Sequence, residues 1–449
     1  MQLTYDLLFK GGVVVNHDGV GLRDVGIRDG RIAGIGAIAA ESASETVDCT
    51  GLHILPGVID THVHFREPGN EHKEDLATGS RAAVAGGVTA AFEMPNTTPA
   101  TTFAGAVLDK LERAAGRMSC DFAFYVGATH TNIDDLAELE ALPGVAAVKV
   151  FMGSSTGELL VPDDPSIARI LAKVQRRVAF HSEDEYRLIA RKGERREGDP
   201  SSHTAWRDPE AARLATERLL RLARETGKRI HVLHVSTAEE LPLLAAARDI
   251  ATVEVTPHHL TFSAPEAYER LGARAQMNPP IRTPEHQQAL WHAIVSGLAD
   301  TIGSDHAPHT LEEKGRPYPD SPSGMAGVQT LVPIMLDHVS KGRLTIERFV
   351  DLTSHGPQRI FGIAGKGRMA EGYDADLTIV DLKRRRMIAD EWIESRAKWT
   401  PYDGREVVGW PIGTIVRGRR AMWDGEIMEP AVGRAVRFEE TLKPARREP

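Results

Sequence analysis

Ile54-Leu55-Pro56-Gly57-Val58-Ile59-Asp60-Thr61-His62-Val63-His64 is the stretch from which the fold can be read. Its apolar run reads as one buried strand, and a polar end follows directly. Side chains two apart on a strand share a face, so His62 and His64 can reach one metal ion together. Paired imidazoles are a frequent opening of zinc sites, although two histidines at a strand end can equally well cap and solvate it.

Working outward, four more apolar runs end in polar groups of the same kind. The run 145–151 carries Lys149, 178–184 closes on His181, 229–236 on His234, and 301–309 brings Asp305 and His309 to one place. A single histidine after a strand is usually a satisfied core or surface residue. Five such ends in one chain, all metal-compatible, call for a common cause. Helical patterns over 73–85, 102–116, 134–142, 164–175, 209–226, 238–248 and 284–297 alternate with these runs. Further strands near 88–94, 122–126 and 252–256 bring the strand count to eight. That alternation predicts an α/β fold, a closed (β/α)8 barrel with its chemistry at the C-terminal strand ends. Strands two and seven end in Pro95-Asn96 and Pro257-His258-His259, which would face a substrate.

Outside the barrel both termini read as short strands. Asp29-Gly30 between two alternating runs is a hairpin signal, and the stretches 372–380 and 413–418 have the same character. The expected division is 1–53 and 365–432 as two parts of one small β-sandwich, 54–364 as the barrel and 433–449 as a tail. From about Leu442 onward the chain is charged and proline-containing and is expected to be disordered.

With 449 residues, 41% of them hydrophobic, the chain can bury one large core and a satellite domain. No apolar run is long enough to span a bilayer, and the N-terminus lacks a signal-peptide pattern. Cys49 and Cys120 do not make a disulfide framework, and a reducing cytoplasm is the expected location. A net charge of −9 argues against a nucleic-acid partner, and the basic cluster 191–196 is broken by acid and reads as a solvated face.

The motifs His62-Val63-His64-Phe65-Arg66-Glu67-Pro68-Gly69, Met94-Pro95-Asn96-Thr97, Met277-Asn278-Pro279-Pro280-Ile281-Arg282 and Asp305-His306-Ala307-Pro308-His309 resemble dihydroorotases of the amidohydrolase superfamily. The likeness runs from about residue 5 to 382, with Lys366-Gly367 and 372–377 matching the re-entry into the β domain. One departure is Lys149, where many close relatives offer an aspartate as metal bridge. Lysine there is also the habit of hydantoinases, allantoinases and other dihydroorotases, so it does not separate them.

The resemblance implies two divalent metal ions, zinc being the expected pair, although cobalt and manganese suit the same ligands. His62 and His64 would hold the first ion with Asp305, and His181 and His234 the second, bridged by a carboxylated Lys149. An uncarboxylated lysine paired with an acid at the rim is the plain alternative. Asp305 would act as general base and then general acid. Arg66, Asn96 and His309 would receive the carboxylate of dihydroorotate, Asn278 the ring amide, and Ser323-Gly324 would offer backbone groups. The loop 310–320 would act as a lid. The implied partners are a small-molecule substrate, further copies of the chain and, in some relatives, aspartate transcarbamoylase. Two other readings stand beside this one: a hydantoinase, dihydropyrimidinase or allantoinase, and an inactive scaffold for aspartate transcarbamoylase.

Overall fold

The computed structural model of the protein describes residues 4–153 and 157–442. Eight parallel strands follow one another around a barrel: Val58–Val63, Val88–Glu93, Asp121–Gly127, Val145–Phe151, Val178–His181, Ile230–Val232, Ala251–Val255 and Thr301–Ile302. The sheet closes between its first and last members, where the His64 N–H donates to the His306 carbonyl at 2.7 Å. Helices fill the intervals. Pro209–Thr226 begins on Asp208, whose side chain accepts from the Ala211 N–H, and stops at left-handed Gly227. The predicted helix over 134–142 is reduced to a 3-10 turn and the single turn Leu136–Leu139.

The apolar run that reads as one strand is two. His53–Pro56 pairs with Leu377–Ile388 in a seven-stranded β sheet, whereas Val58–Val63 enters the barrel. Gly57 marks the change, because a Cβ there would lie 2.3 Å from Thr89 Oγ1. Hydrophobicity is continuous across the break since both strands are buried, so periodicity could not show it.

The β-rich domain combines this sheet with a four-stranded sheet from the N-terminal region. Phe9, Val25, Ile27, Ile54, Leu377 and Ile415 share one core between the two sheets, so residues from both ends of the chain bury each other. Asp29 and Gly30 both have positive φ, as a tight hairpin turn requires. At the joint with the barrel, buried Lys366 reaches Asp121 at 2.6 Å, Asp376 at 2.5 Å and Asp374 at 3.1 Å, and Arg417 also pairs with Asp121. Burial pushes the Lys366 ammonium down, but the three carboxylates outweigh it and hold it above the usual lysine value. The expected disorder of the tail beyond Leu442 falls outside the described residues, while the preceding residues pack under the barrel through Val436 and Phe438.

Candidate metal centre and substrate pocket

The first and last barrel strands bring three ligands together. Asp305 Oδ1 lies 3.3 Å from Nε2 of His62 and 3.3 Å from Nε2 of His64, and these ligand atoms form a buried group able to hold a metal ion. Burial raises the Asp305 pKa, but the facing His62 and His64 outweigh it and hold the carboxyl well below its usual range.

The ring nitrogens of these histidines are assigned by what lies behind them. His62 Nδ1 is 2.7 Å from Glu254 Oε1, His64 Nδ1 is 2.7 Å from Asn96 Oδ1, and His181 Nε2 is 2.7 Å from Glu183 Oε2. Ionised carboxylate and amide oxygens only accept, so each of these nitrogens donates and the opposite one keeps its lone pair. His62 and His64 thus offer Nε2, and His181 offers Nδ1. Burial holds His64 down to about 4 and also lowers His181, keeping both rings in the neutral form that ligates. The His181 and His234 rings stand 4.5 Å apart, and His234 is 5.3 Å from His62, so the two histidine pairs line one pocket.

Lys149 projects from the fourth strand and is fully buried, and its Nζ has no hydrogen-bond partner among the described residues. Burial depresses its pKa to about 7, opposed by Glu254 and Asp305. An orphaned, easily neutralised amine beside two histidine pairs fits a modified lysine better than a structural one. The donor set is compatible with two divalent ions: His62, His64 and Asp305 for one, and His181 and His234, with Lys149 near them, for another. Arg66, His234 and Asp305 all have positive φ, at 66°, 37° and 47°. Such backbone costs a non-glycine residue about 1–3 kcal/mol, and its concentration here marks a site over-determined by its surroundings.

Glu254, Glu183 and Arg207 were not predicted. Glu254 sits in the seventh strand, where Thr252-Val253-Glu254-Val255-Thr256 is otherwise a buried run. An acid inside such a run was the available signal. Gly303 makes room for it, since a Cβ there would lie 2.6 Å from Glu254 Oε2. Burial raises the Glu183 pKa, but Arg207 outweighs it and keeps the carboxylate ionised behind His181.

Of the predicted substrate residues, Arg66 is half-buried beside the metal ligands and forms no ion pair among the described residues. Its Nε donates to the Pro308 carbonyl at 3.2 Å, and burial lowers its pKa to about 10. His309 lies against it, with Nη2 and Nε2 3.2 Å apart. Lys73 donates to His309 Nδ1 at 3.2 Å, so Nε2 carries the hydrogen and donates to the Ser323 carbonyl at 3.0 Å. The Gly324 N–H donates to the Gln276 carbonyl at 2.9 Å. Asn96 is brought to the pocket, with its carbonyl oxygen engaged by His64. Asn278 is held by His203 Nε2 at 2.9 Å and, with Ser323, lines a cavity of about 460 Å³.

His258 and His259 do not end a strand but belong to the short helix Pro257–Thr261. His258 Nδ1 is 3.0 Å from the Tyr402 hydroxyl, and His259 Nε2 donates to the Pro279 carbonyl at 3.1 Å, so His259 braces the Asn278 loop. The segment after Thr310 contains the helical turn Leu311–Lys314, with buried Lys314 donating to the Gln276 and Pro322 carbonyls.

The amidohydrolase family model matches residues 53–421. A dihydroorotase of Halobacterium salinarum is 38% identical, the match covering 93% of this chain and 99% of that one. An allantoinase of Rubrobacter xylanophilus is 37% identical over 97% of this chain and 98% of its own. Among solved structures, an L-hydantoinase (dihydropyrimidinase) from Arthrobacter aurescens superposes with a TM-score of 0.92 at 31% identity, over 96% of this chain and 100% of that one.

Proposed function

The chain belongs to the amidohydrolase family, and we propose that within it this protein is a dihydroorotase, opening the cyclic amide of (S)-dihydroorotate to N-carbamoyl-L-aspartate in pyrimidine synthesis. The observation that carries this reading is Arg66, a half-buried guanidinium beside His64 and Asp305 with no carboxylate of the protein paired to it among the described residues. A substrate carboxylate would supply the missing charge, and of the cyclic amides these relatives act on by name, dihydroorotate carries one on the ring. Lys73 and Lys314 lie on the same side, against neutral His309, and Asn96 completes the rim.

His62, His64 and Asp305 would hold one divalent ion, most simply zinc, and His181 and His234 a second, with a carboxylated Lys149 shared between them. When bound, such ions polarise a carbonyl and acidify water. The protein's own groups then carry the protons. Asp305 accepts a proton from the attacking water as its oxygen adds to the ring carbonyl carbon. The ring C–N bond breaks, and Asp305 returns that proton to the departing nitrogen. Glu254 and Glu183 fix the rings of His62 and His181, and Asn96 that of His64.

Turnover of dihydroorotate, dihydrouracil, hydantoin and allantoin by the metal-loaded protein tests the reading. Dihydroorotate should be the preferred substrate by a wide margin. Equal or better turnover of hydantoin or allantoin would move the protein to the branch of its other relatives.

A further inference from the structure

A second charged cavity lies at the opposite mouth of the barrel, where strands begin. It measures about 310 Å³, and Arg176 and Arg177 enter its wall just ahead of the fifth strand. Lys228 and Arg229 do so just ahead of the sixth, and Arg359 comes from the helix Gly356–Phe361. Against these five cations stand Glu439 and Glu440, on the last described helix.

Barrel helices end at this face, and their terminal carbonyls attract cations. That accounts for part of the set. Buried Arg176 donates to the Val145 carbonyl at 2.7 Å and meets Glu440 at 3.2 Å, Lys228 donates to the Val174 carbonyl, and Arg359 pairs with Asp351 at 2.8 Å. It leaves Arg177 and Arg229, which form no ion pair among the described residues. Arg177 reaches the Ile230 carbonyl at 2.9 Å, and burial, with Arg229 next, lowers its pKa to about 10. Positive charge is therefore concentrated here beyond what the described residues neutralise.

We propose that this cavity binds a small anion carrying a phosphate or diphosphate group, free or as part of a nucleotide. Guanidinium forks match phosphate oxygens, and the volume sits at the lower end of small-ligand pockets, roughly 300–1,000 Å³. Glu440 occupies the Arg176 guanidinium as an internal carboxylate, so an incoming anion competes with it. Arg177 is four residues ahead of His181 and Arg229 five ahead of His234, so the ligand would grip the roots of the strands that lead to those histidines.

Calorimetric titration of the metal-loaded enzyme with inorganic pyrophosphate tests this, with bound metal measured before and after to exclude stripping. Adenosine triphosphate in parallel tells a free diphosphate from a nucleotide-borne one. One ligand per chain is expected. Arg229→Gln, an exposed change that spares the core, should weaken binding at least about tenfold, and the Arg177→Gln/Arg229→Gln double variant more. Glu440→Gln should tighten it, whereas Arg66→Met should leave it unchanged. No saturable binding with either probe, or binding that Arg229→Gln and Glu440→Gln leave unaltered, overturns the proposal and reduces these cations to caps of helix ends.

Discussion

Glu254 accepts the Nδ1 hydrogen of His62 across 2.7 Å in the barrel interior, so a carboxylate on the seventh strand sets the tautomer of a histidine on the first. Burial raises the Glu254 pKa, but His62 and then His231 outweigh it and hold it near 2, so the charge persists at working pH. Replacing it by the neutral, similarly sized glutamine should weaken metal binding about 10–100-fold, the usual cost of losing such a support. Competition against a chelator measures it. Unchanged affinity in Glu254→Gln would mean that His62 is oriented by packing alone.

Lys149 offers a second test of the centre. Lys149→Ala should lose at least one metal and most activity, because the carboxylated lysine would be the ligand shared by both ions. Short carboxylic acids added to the variant should restore part of both. Full metal occupancy in an active Lys149→Ala protein would remove the lysine from the centre.

Asp305→Asn separates proton transfer from shape. The amide keeps the size and some ligand capacity but cannot take up the proton. Turnover should fall by about 10²–10⁴-fold or more with metal largely retained. A near-normal rate in this variant would assign the proton to another group.

The barrel and its polar strand ends were legible because each strand end is local: a short apolar run followed at once by His, Lys or Asp. Glu254, Glu183 and Arg207 were not, because their meaning lies in partners 192, 2 and 24 positions away, and a lone acid in a strand such as Glu254 looks like a solvent-facing residue. Even Glu183, only two residues from its histidine, carries no periodic signal. Asn96 reads from its motif as a substrate residue, and the fold adds that its oxygen accepts from His64. A strand-end residue can serve either neighbour, and only the fold shows which is within reach.

At the barrel–β-domain joint, Lys366→Met should leave buried Asp376 without a cation among the described residues, Asp121 with Arg417 and Asp374 with the more distant Arg31, and destabilise the protein by about 3–5 kcal/mol. The sign with pH follows from the shifts. Lys366 is raised in the folded state, so its contribution is full below the unfolded lysine value of about 10.4 and is lost as pH climbs through the folded one. Asp121 is lowered by Lys366 and Arg417 despite burial, so its contribution is present above the unfolded value of about 3.9 and is lost as pH falls through the folded one. Denaturation at several pH values should show the largest gap between wild type and variant across the neutral range, shrinking in acid. A gap below about 1 kcal/mol at pH 7 would make the network dispensable.

The substrate prediction rests on Arg66. If it receives the carboxylate of dihydroorotate, dihydrouracil would bind with that guanidinium desolvated and unpaired. Sites built around a polar substrate group reject analogues lacking it by roughly 10⁴–10⁵-fold, so the wild type should barely open dihydrouracil or unsubstituted hydantoin. Arg66→Met keeps much of the side-chain stem and removes the charge. Dihydroorotate turnover should drop severely in kcat/KM, while metal content stays intact because Arg66 stands outside the group of ligand atoms. The gap between dihydroorotate and dihydrouracil should narrow at the same time, which a general loss of structure would not produce. Steady-state kinetics on both substrates, with metal analysis of both proteins, decides it. Retention of the full preference in Arg66→Met would place the carboxylate on other groups, with Lys73, Lys314 and His309 next in line.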